Sequence, residues 1–459
     1  MGRVVVFSII TAFPALYTEF ISTSLVKLAR ERGLAAFNFI KFSEQCAPKE
    51  PIDEPTVGPG PGMILKPSVV ERAINTAVSQ YGEGLTIFFS PQGTLLSQPV
   101  VKEVAALIAQ SNDGIKSSNA DQTASSSRHV ILVCARYEGI DARVERHYAD
   151  LILSIGDYVL MGGDLPAQVL IEAVLRLFPS VVGNQASVDH DSFESEFLDH
   201  DEFGLPVEWM GESIPDILRS GDHAKIKQWR MDNAARKTVL GRFDWFRSSS
   251  PSPLALSAAL KHIPRHYVAL LHGDVLVKSG EEGTTSVTSI DLHDIARSCR
   301  TFGIEQFLAV TPLQDQQEIV KTFLDFWKSD VGKRYNQTRT ESTSRLAILD
   351  TFDAAVKLIE EREGKKPLVI TTSAREFSHA CQIGFHDQEA VWSLDRPVLF
   401  VFGTGQGLAP RILDASDFLL EPVNGMTNYN HLSVRSAVAI VLDRWMGLNP
   451  KKNSLNVRC

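Results

Sequence analysis

"HVILVCARYEGIDARVERHYADLILSIGDYVLMGGDLP" (129–166) is the stretch that decides how this chain folds. It holds two unbroken apolar runs, "HVILVCA" (129–135) and "LILSI" (151–155). Neither alternates with polar residues, which marks strands covered on both faces. Each run ends at a glycine-bearing loop, "ARYEGID" (135–141) and "IGDYVLMGGDLP" (155–166). In an open parallel sheet, ligands sit beyond the carboxyl ends of strands, where such loops lie.

The same habit extends in both directions. "VVVFSII" (4–10), "AFNFIKF" (36–42) and "LTIFFS" (85–90) read as further buried strands. The stretches 15–31, 68–80, 98–110 and 164–178 read as helices between them. A polar, serine-rich segment at 111–128 reads as a mobile insertion, and "SSSPSPL" (248–254) as a Ser/Pro linker. After it the alternation resumes with "YVALLH" (267–272), "FLAV" (307–310), "PLVITT" (367–372), "PVLFVFG" (397–403) and "FLLEPV" (418–423), closing on a helix at 431–446. The expected fold class is therefore α/β: two domains with mostly parallel sheets and a small helical domain between them.

Bulk composition narrows the class. The chain has 459 residues, 44% hydrophobic and 22% charged, which suits a soluble protein of two or three domains. Five cysteines without CxxC spacing argue against a zinc knuckle or disulfide framework, and for a reducing, cytoplasmic location. The opening "MGRVVVFSIITAFPALYTEF" reads as a first strand, and no run of eighteen apolar residues marks a membrane span. A net charge of −9 opposes indiscriminate nucleic-acid binding. It leaves room for a local basic face at 222–247, where Lys225, Lys227, Arg230, Arg236, Lys237, Arg242 and Arg247 outnumber three aspartates. A merely solvated helix face is the competing reading.

Three loops of the first half, "SPQG" (90–93) and the two quoted above, invite close backbone approach to a ligand. None forms GxGxxG and no Walker lysine follows, so neither a dinucleotide fold nor an NTPase is favoured.

Taken with "TAFP", "GPGM", "SPQG", "RYEGID", "SIGDYVL", "GGDLP", "DSF" and "SGDHAKIKQWR", residues 1–247 resemble the bacterial tRNA (guanine-N1)-methyltransferase family, TrmD. The resemblance implies a trefoil-knotted SPOUT fold, S-adenosylmethionine as methyl donor, and a homodimer. It also implies tRNA as substrate, methylated at N1 of guanine-37 beside the anticodon. Carried over residue by residue, Ser90, Pro91, Gln92 and Gly93, with Ala135, Tyr137, Glu138 and Gly139, would hold the donor. Ile155, Gly156, Asp157, Tyr158, Val159 and Leu160 would form its main loop, and Gly162, Gly163 and Pro166 the far wall. Arg176 and Asp191 match the residues that act on the base, with Asp191 accepting the N1 proton and Arg176 stabilising charge at O6. Their bland alternatives are a helix-surface ion pair and a helix cap. Glu138 is a candidate for a divalent cation such as Mg2+; no metal-ligand set accompanies it.

The chain departs from the family at Ala135, where glycine is usual, at "IDEPTVGPGPGM" (52–63) and at "FGLP" (203–206). Residues 255–450 resemble a second SPOUT-type RNA methyltransferase domain, through "TTSVTSIDLHDIARSCRTFGI" (284–304), "FVFGTGQGL" (400–408) and "PVNGMTNYNHLSVRSAVAIVLDR" (422–444). Here Thr371, Gly403, Gly405, Leu420, Pro422 and Leu432 would line a donor pocket, with Asn430 and Ser433 at the start of the closing helix. The expected organisation is a donor-binding domain at 1–180, a helical tRNA-binding domain at 181–247, the linker, the second domain at 255–450 and a tail at 451–459. A non-catalytic RNA-binding scaffold and a nicotinamide-dependent oxidoreductase are the competing functions, the latter disfavoured by the missing fingerprint.

Overall fold

The computed structural model describes residues 4–58, 62–110, 128–183, 191–375 and 381–450. They form two compact units, the first reaching Ser195 and the second running from Glu196.

In the first unit the strands of the main sheet are β1 (Val5–Thr11), β2 (Ala35–Lys41), β3 (Leu85–Leu95), β4 (Arg128–Val133) and β5 (Leu151–Ser154). They lie in the order β2-β1-β4-β3-β5, and every pair is parallel. Successive side chains of a strand point to opposite faces, so Phe7 and Ile9 of β1 join one apolar cluster and Ile10 joins the other. The first cluster is closed by α1 (Ser24–Glu31), α3 (Gln98–Gln110) and α5 (Asp164–Leu177). The second is closed by α2 (Pro67–Tyr81) and α4 (Ala142–Tyr148). Both faces of the sheet are thus buried, which is why its strands read as solid apolar runs.

The single helix expected over 15–31 is instead two 3-10 turns, Pro14–Tyr17 and Phe20–Ser22, followed by α1. Pro14 starts the first turn, and Thr23 is extended (φ −120°, ψ 146°) with its hydroxyl donating to the Glu19 carbonyl at 2.6 Å. That local bond competes with helix continuation. The segment 111–128, expected as an insertion, lies outside the described residues except for Arg128, which opens β4.

Among the described residues the main sheet of the second unit has seven strands: β6 (His266–Leu271), β7 (Gln306–Val310), β8 (Leu346–Leu349), β9 (Leu368–Thr372), β10 (Gln382–Ile383), β11 (Val398–Gly403) and β12 (Phe418–Leu420). Their order is β8-β7-β6-β11-β9-β12-β10, again all parallel. β8 and β10 are edge strands that the apolar pattern did not reveal. Without them the remaining five run second-first-fourth-third-fifth along the sheet, the same order as in the first unit.

The boundary between units corrects the expected linker. Helices α6 (His223–Gly241), α7 (Phe243–Ser248) and α8 (Pro253–Ala259) belong to the second unit. Phe243 and Phe246 enter its main core with Trp392 and Trp445, beside α9 (Ser289–Thr301) and α10 (Val434–Met446). Arg247 is buried; its guanidinium reaches Asp244 at 2.7 Å and donates to the Arg444 carbonyl. Ser252 donates to Glu196 at 2.8 Å and caps α8 by accepting from the Ala255 amide. The Ser/Pro composition of 248–254 thus serves a helix junction with its own caps and buried anchor. The closing helix expected from 431 begins at Val434, capped by Ser433.

Candidate functional site

A bulge within β3 and the loops leaving β4 and β5 meet at the carboxyl edge of the first sheet, around a cavity of about 450 Å³. Phe89 and Thr94 of β3 both pair with Leu153, so residues 90–93 bulge out of the ladder at the cavity mouth. The loop after β5 crosses the loop after β4 at very close range. The Gly163 amide donates to the Ala135 carbonyl at 2.9 Å, and a Cβ on Gly163 would lie 2.9 Å from the Cys134 Cα. Only glycine permits that approach.

Every residue singled out from Ser90 to Pro166 lines this cavity except Gly93 and Asp157. Gly93 packs on β5 instead, where a Cβ would meet the Leu153 backbone at 2.6 Å, and Asp157 points to solvent. Two charged lining residues escaped the sequence reading, Arg136 and Glu145. Arg136 lay inside the quoted "RYEGID" and was passed over. Its guanidinium stacks 4.5 Å from the Phe13 ring centroid, donates to the Met161 carbonyl at 3.2 Å, and sits 3.1 Å from Asp164. Asp164 is buried, and it also accepts from Thr11 Oγ1 at 2.6 Å and Tyr17 OH at 3.3 Å. Such pairing offsets the cost of a buried carboxylate. Burial above all, with Asp164 beside it, pushes the Tyr17 phenol up, and burial likewise raises the Cys134 thiol. Both therefore stay protonated, and Cys134 is an inert core residue.

Arg176 and Asp191 form an ion pair with each other and are partly exposed. Neither lines the cavity. Arg176 stands ten residues after Pro166 on α5, roughly 15 Å along the helix axis. Around α5 the apolar side chains of Phe13, Leu16, Leu165 and Val169 are exposed.

A second cavity, about 890 Å³, opens at the corresponding edge of the second sheet, bounded by the loops after β9, β11 and β12. Gly403, Gly405, Leu420, Asn430, Leu432 and Ser433 line it; Thr371 and Pro422 do not. Thr371 is buried within the sheet, its hydroxyl donating to Ser416 Oγ at 3.1 Å, and the alternation of the strand brings Thr372 to the cavity instead. Asn430 donates to the Ala374 carbonyl at 3.0 Å, tying its loop to the one after β9 rather than capping α10. His272, Thr285, Asp291 and Arg435 also line this cavity and were missed. The one available signal was a polar residue ending the buried run "YVALLH".

Of the basic segment, Lys225, Lys227 and Arg230 are exposed on α6, with Lys225 3.3 Å from Asp222, whereas the buried Arg247 is no part of that face. Among the described residues no three His, Cys, Asp or Glu side chains are grouped to hold a metal ion. Among them, too, no helix is long and apolar enough to cross a membrane.

With this geometry, comparison with known proteins is informative. The family model described as tRNA (Guanine-1)-methyltransferase TrmD matches residues 5–248, and one described as SAM-dependent RNA methyltransferase matches 265–447. A tRNA (guanine-N(1)-)-methyltransferase of Nitratidesulfovibrio vulgaris is 33% identical over 447 residues, spanning 96% of this chain and 99% of that protein. One from Deinococcus radiodurans is 37% identical over 257 residues, 55% of this chain and 84% of its own length. The crystal structure of a tRNA (m1G37) methyltransferase from Aquifex aeolicus aligns with 51% of this chain and 94% of its own, at 28% identity and a TM-score of 0.40.

Proposed function

The chain belongs to the tRNA (guanine-1)-methyltransferase family, and we propose that its first unit methylates guanine-37 from a donor held in the 450 Å³ cavity. It is a SAM-dependent enzyme that transfers a methyl group to N1 of guanine in tRNA. The observation that carries the site assignment is the convergence of the β3 bulge and the loops after β4 and β5 on one cavity, closed by a glycine crossing.

The cavity fits S-adenosylmethionine by its chemistry. Leu153, Val159, Leu160 and Pro166 offer apolar walls for the adenine, and the Glu138 and Glu145 carboxylates suit a ligand bearing ammonium and sulfonium charges. When bound, the sulfonium supplies a methyl group already activated for transfer, so alignment is the enzyme's main task. Arg136, clamped between Phe13 and Asp164, holds the 135–139 loop against the 162–163 crossing. In this reading the Asp191 carboxylate takes the N1 proton as the new bond forms, and the Arg176 guanidinium stabilises charge at O6.

The pair's distance along α5 from the cavity, with the exposed apolar side chains around that helix, supports a homodimer, and the family resemblance implies the knotted SPOUT fold. In that homodimer a second copy would supply the pair to the cavity. The exposed cations of α6 suit the tRNA backbone, and a tRNA substrate suits a cytoplasmic location. The second cavity is read as another donor site, serving an RNA substrate of its own.

The test is nucleoside mapping: purified chain, unmodified tRNA transcript and labelled donor should place 1-methylguanosine at position 37. Absence of 1-methylguanosine from position 37 would refute the assignment.

A further inference from the structure

His272 directly follows β6 and lines the second cavity with Gly403 and Thr404. It is 1% exposed, and its Nε2 is buried with no hydrogen-bond partner among the described residues. A buried acceptor left unpaired costs about 1–3 kcal/mol, so an unused one at a cavity wall needs a reason.

The hydrogen bonds around it determine where its proton lies. The Thr404 hydroxyl donates to the Leu271 carbonyl at 2.9 Å, which uses its only proton. The 2.5 Å contact between Thr285 and Thr404 hydroxyls must then be donated by Thr285. Having spent its proton, Thr285 Oγ1 can only accept from His272 Nδ1, 3.2 Å away. Burial pulls the His272 pKa down to about 4, with nearby Asp291 acting in the opposite direction, so near neutral pH the ring carries one proton. That proton is on Nδ1, and Nε2 presents a bare lone pair. Asp291 is itself buried, 3.3 Å from Arg435, and both line the same cavity.

We infer that the second cavity methylates an RNA nucleophile that carries a proton, an N–H or O–H, and that His272 Nε2 receives this proton. The inference rests on the reading of this cavity as a donor site. The bond that forms joins the nucleophile to the methyl carbon; the bond that breaks is S–CH3, whose electron pair stays on sulfur. As the methyl group arrives, the nucleophile becomes cationic and its proton strongly acidic, so even a weak imidazole base accepts it. The Asp291 carboxylate stabilises the imidazolium, and Thr285 is a positioning residue that holds the tautomer.

The experiment uses the full chain, methyl-labelled S-adenosylmethionine and total RNA from cells lacking this protein, with nucleosides resolved by mass spectrometry and donor binding followed by calorimetry. Wild type should bind donor at two sites and yield 1-methylguanosine plus a second methylated nucleoside. His272→Gln should keep both binding sites within threefold and the 1-methylguanosine, and lower the second product at least ~100-fold, the scale of losing a general base. Thr285→Val, a second route should His272→Gln fail to fold, should lower it about 10-fold with binding unchanged. Two donor sites with the second product unchanged in both variants, or no second product from wild type, would overturn the role of His272. A single donor site in wild type would instead overturn the reading of the cavity on which it rests.

Discussion

Gly405→Val is the sharpest test of the second cavity. Gly405 lies in the loop after β11 with φ +61°, a region that costs an L-residue roughly 1–2 kcal/mol and a β-branched one more. Its Cβ would sit 2.5 Å from the Leu276 carbonyl oxygen and 3.4 Å from Thr285 Cγ2. The obstruction is thus the backbone behind the loop, rather than a side chain filling the cleft. Relieving it endangers two bonds, Gln406 amide to Leu276 carbonyl at 2.8 Å and Leu276 amide to Gly407 carbonyl at 2.9 Å, each worth roughly 0.5–1.5 kcal/mol. Together these give a cost of about 3–5 kcal/mol. Loaded on the binding conformation of the loop alone, 3 kcal/mol weakens donor affinity roughly 100-fold. Calorimetric titration of the full chain should therefore fall from two donor sites to one, while 1-methylguanosine formation continues. Two sites persisting within threefold of wild-type affinity would refute the argument.

Asp191→Asn should leave donor binding nearly intact and slow 1-methylguanosine formation at least ~100-fold; equal turnover would return the Arg176–Asp191 pair to a surface ion pair. Replacing Lys225, Lys227 and Arg230 by Ala should weaken tRNA binding and flatten its dependence on salt, with filter binding across ionic strengths as the check; an unchanged slope would leave them a solvated face. His266 predicts acid sensitivity of the second unit. Its Nε2 accepts from the indoles of Trp392 and Trp445 at 3.1 and 3.0 Å, and burial lowers its pKa from 6.5 to about 4. The unfolded chain binds the proton more readily, so stability is full above pH 6.5 and is lost as pH falls toward 4, by about 3 kcal/mol in all. Urea unfolding at pH 7 and pH 4.5 should show that loss in wild type and a smaller one in His266→Gln; matching losses would refute it.

Much of the architecture was legible because parallel strands covered on both faces carry unbroken apolar runs, as in Val5–Thr11 and Leu151–Ser154. β8 and β10 were not, since edge strands of four and two residues carry too little apolar pattern. The 248–254 stretch misled for a different reason: Ser and Pro favour linkers, but they also cap and start helices. At the first cavity the motifs located the loops, and the structure separates residues that face inward from Gly93 and Asp157, which do not. Arg136 and His272 were hidden because their roles arise from partners distant in sequence, Asp164 for one and Thr285 with Thr404 for the other.

The anchoring of Phe243, Phe246 and Arg247 in the second core has a thermodynamic corollary. The helix bearing Lys225, Lys227 and Arg230 leads directly into that anchor, so its order draws on the stability of the unit that holds the second cavity. A ligand that binds the folded form stabilises it by RT ln(1 + [L]/Kd), about 2.7 kcal/mol at a hundredfold excess over Kd. If the second cavity holds a methyl donor as proposed, that increment of stability extends to the basic helix as well, since both belong to one unit. A chain cut at 248–254 would leave the helix without the core contacts that follow it.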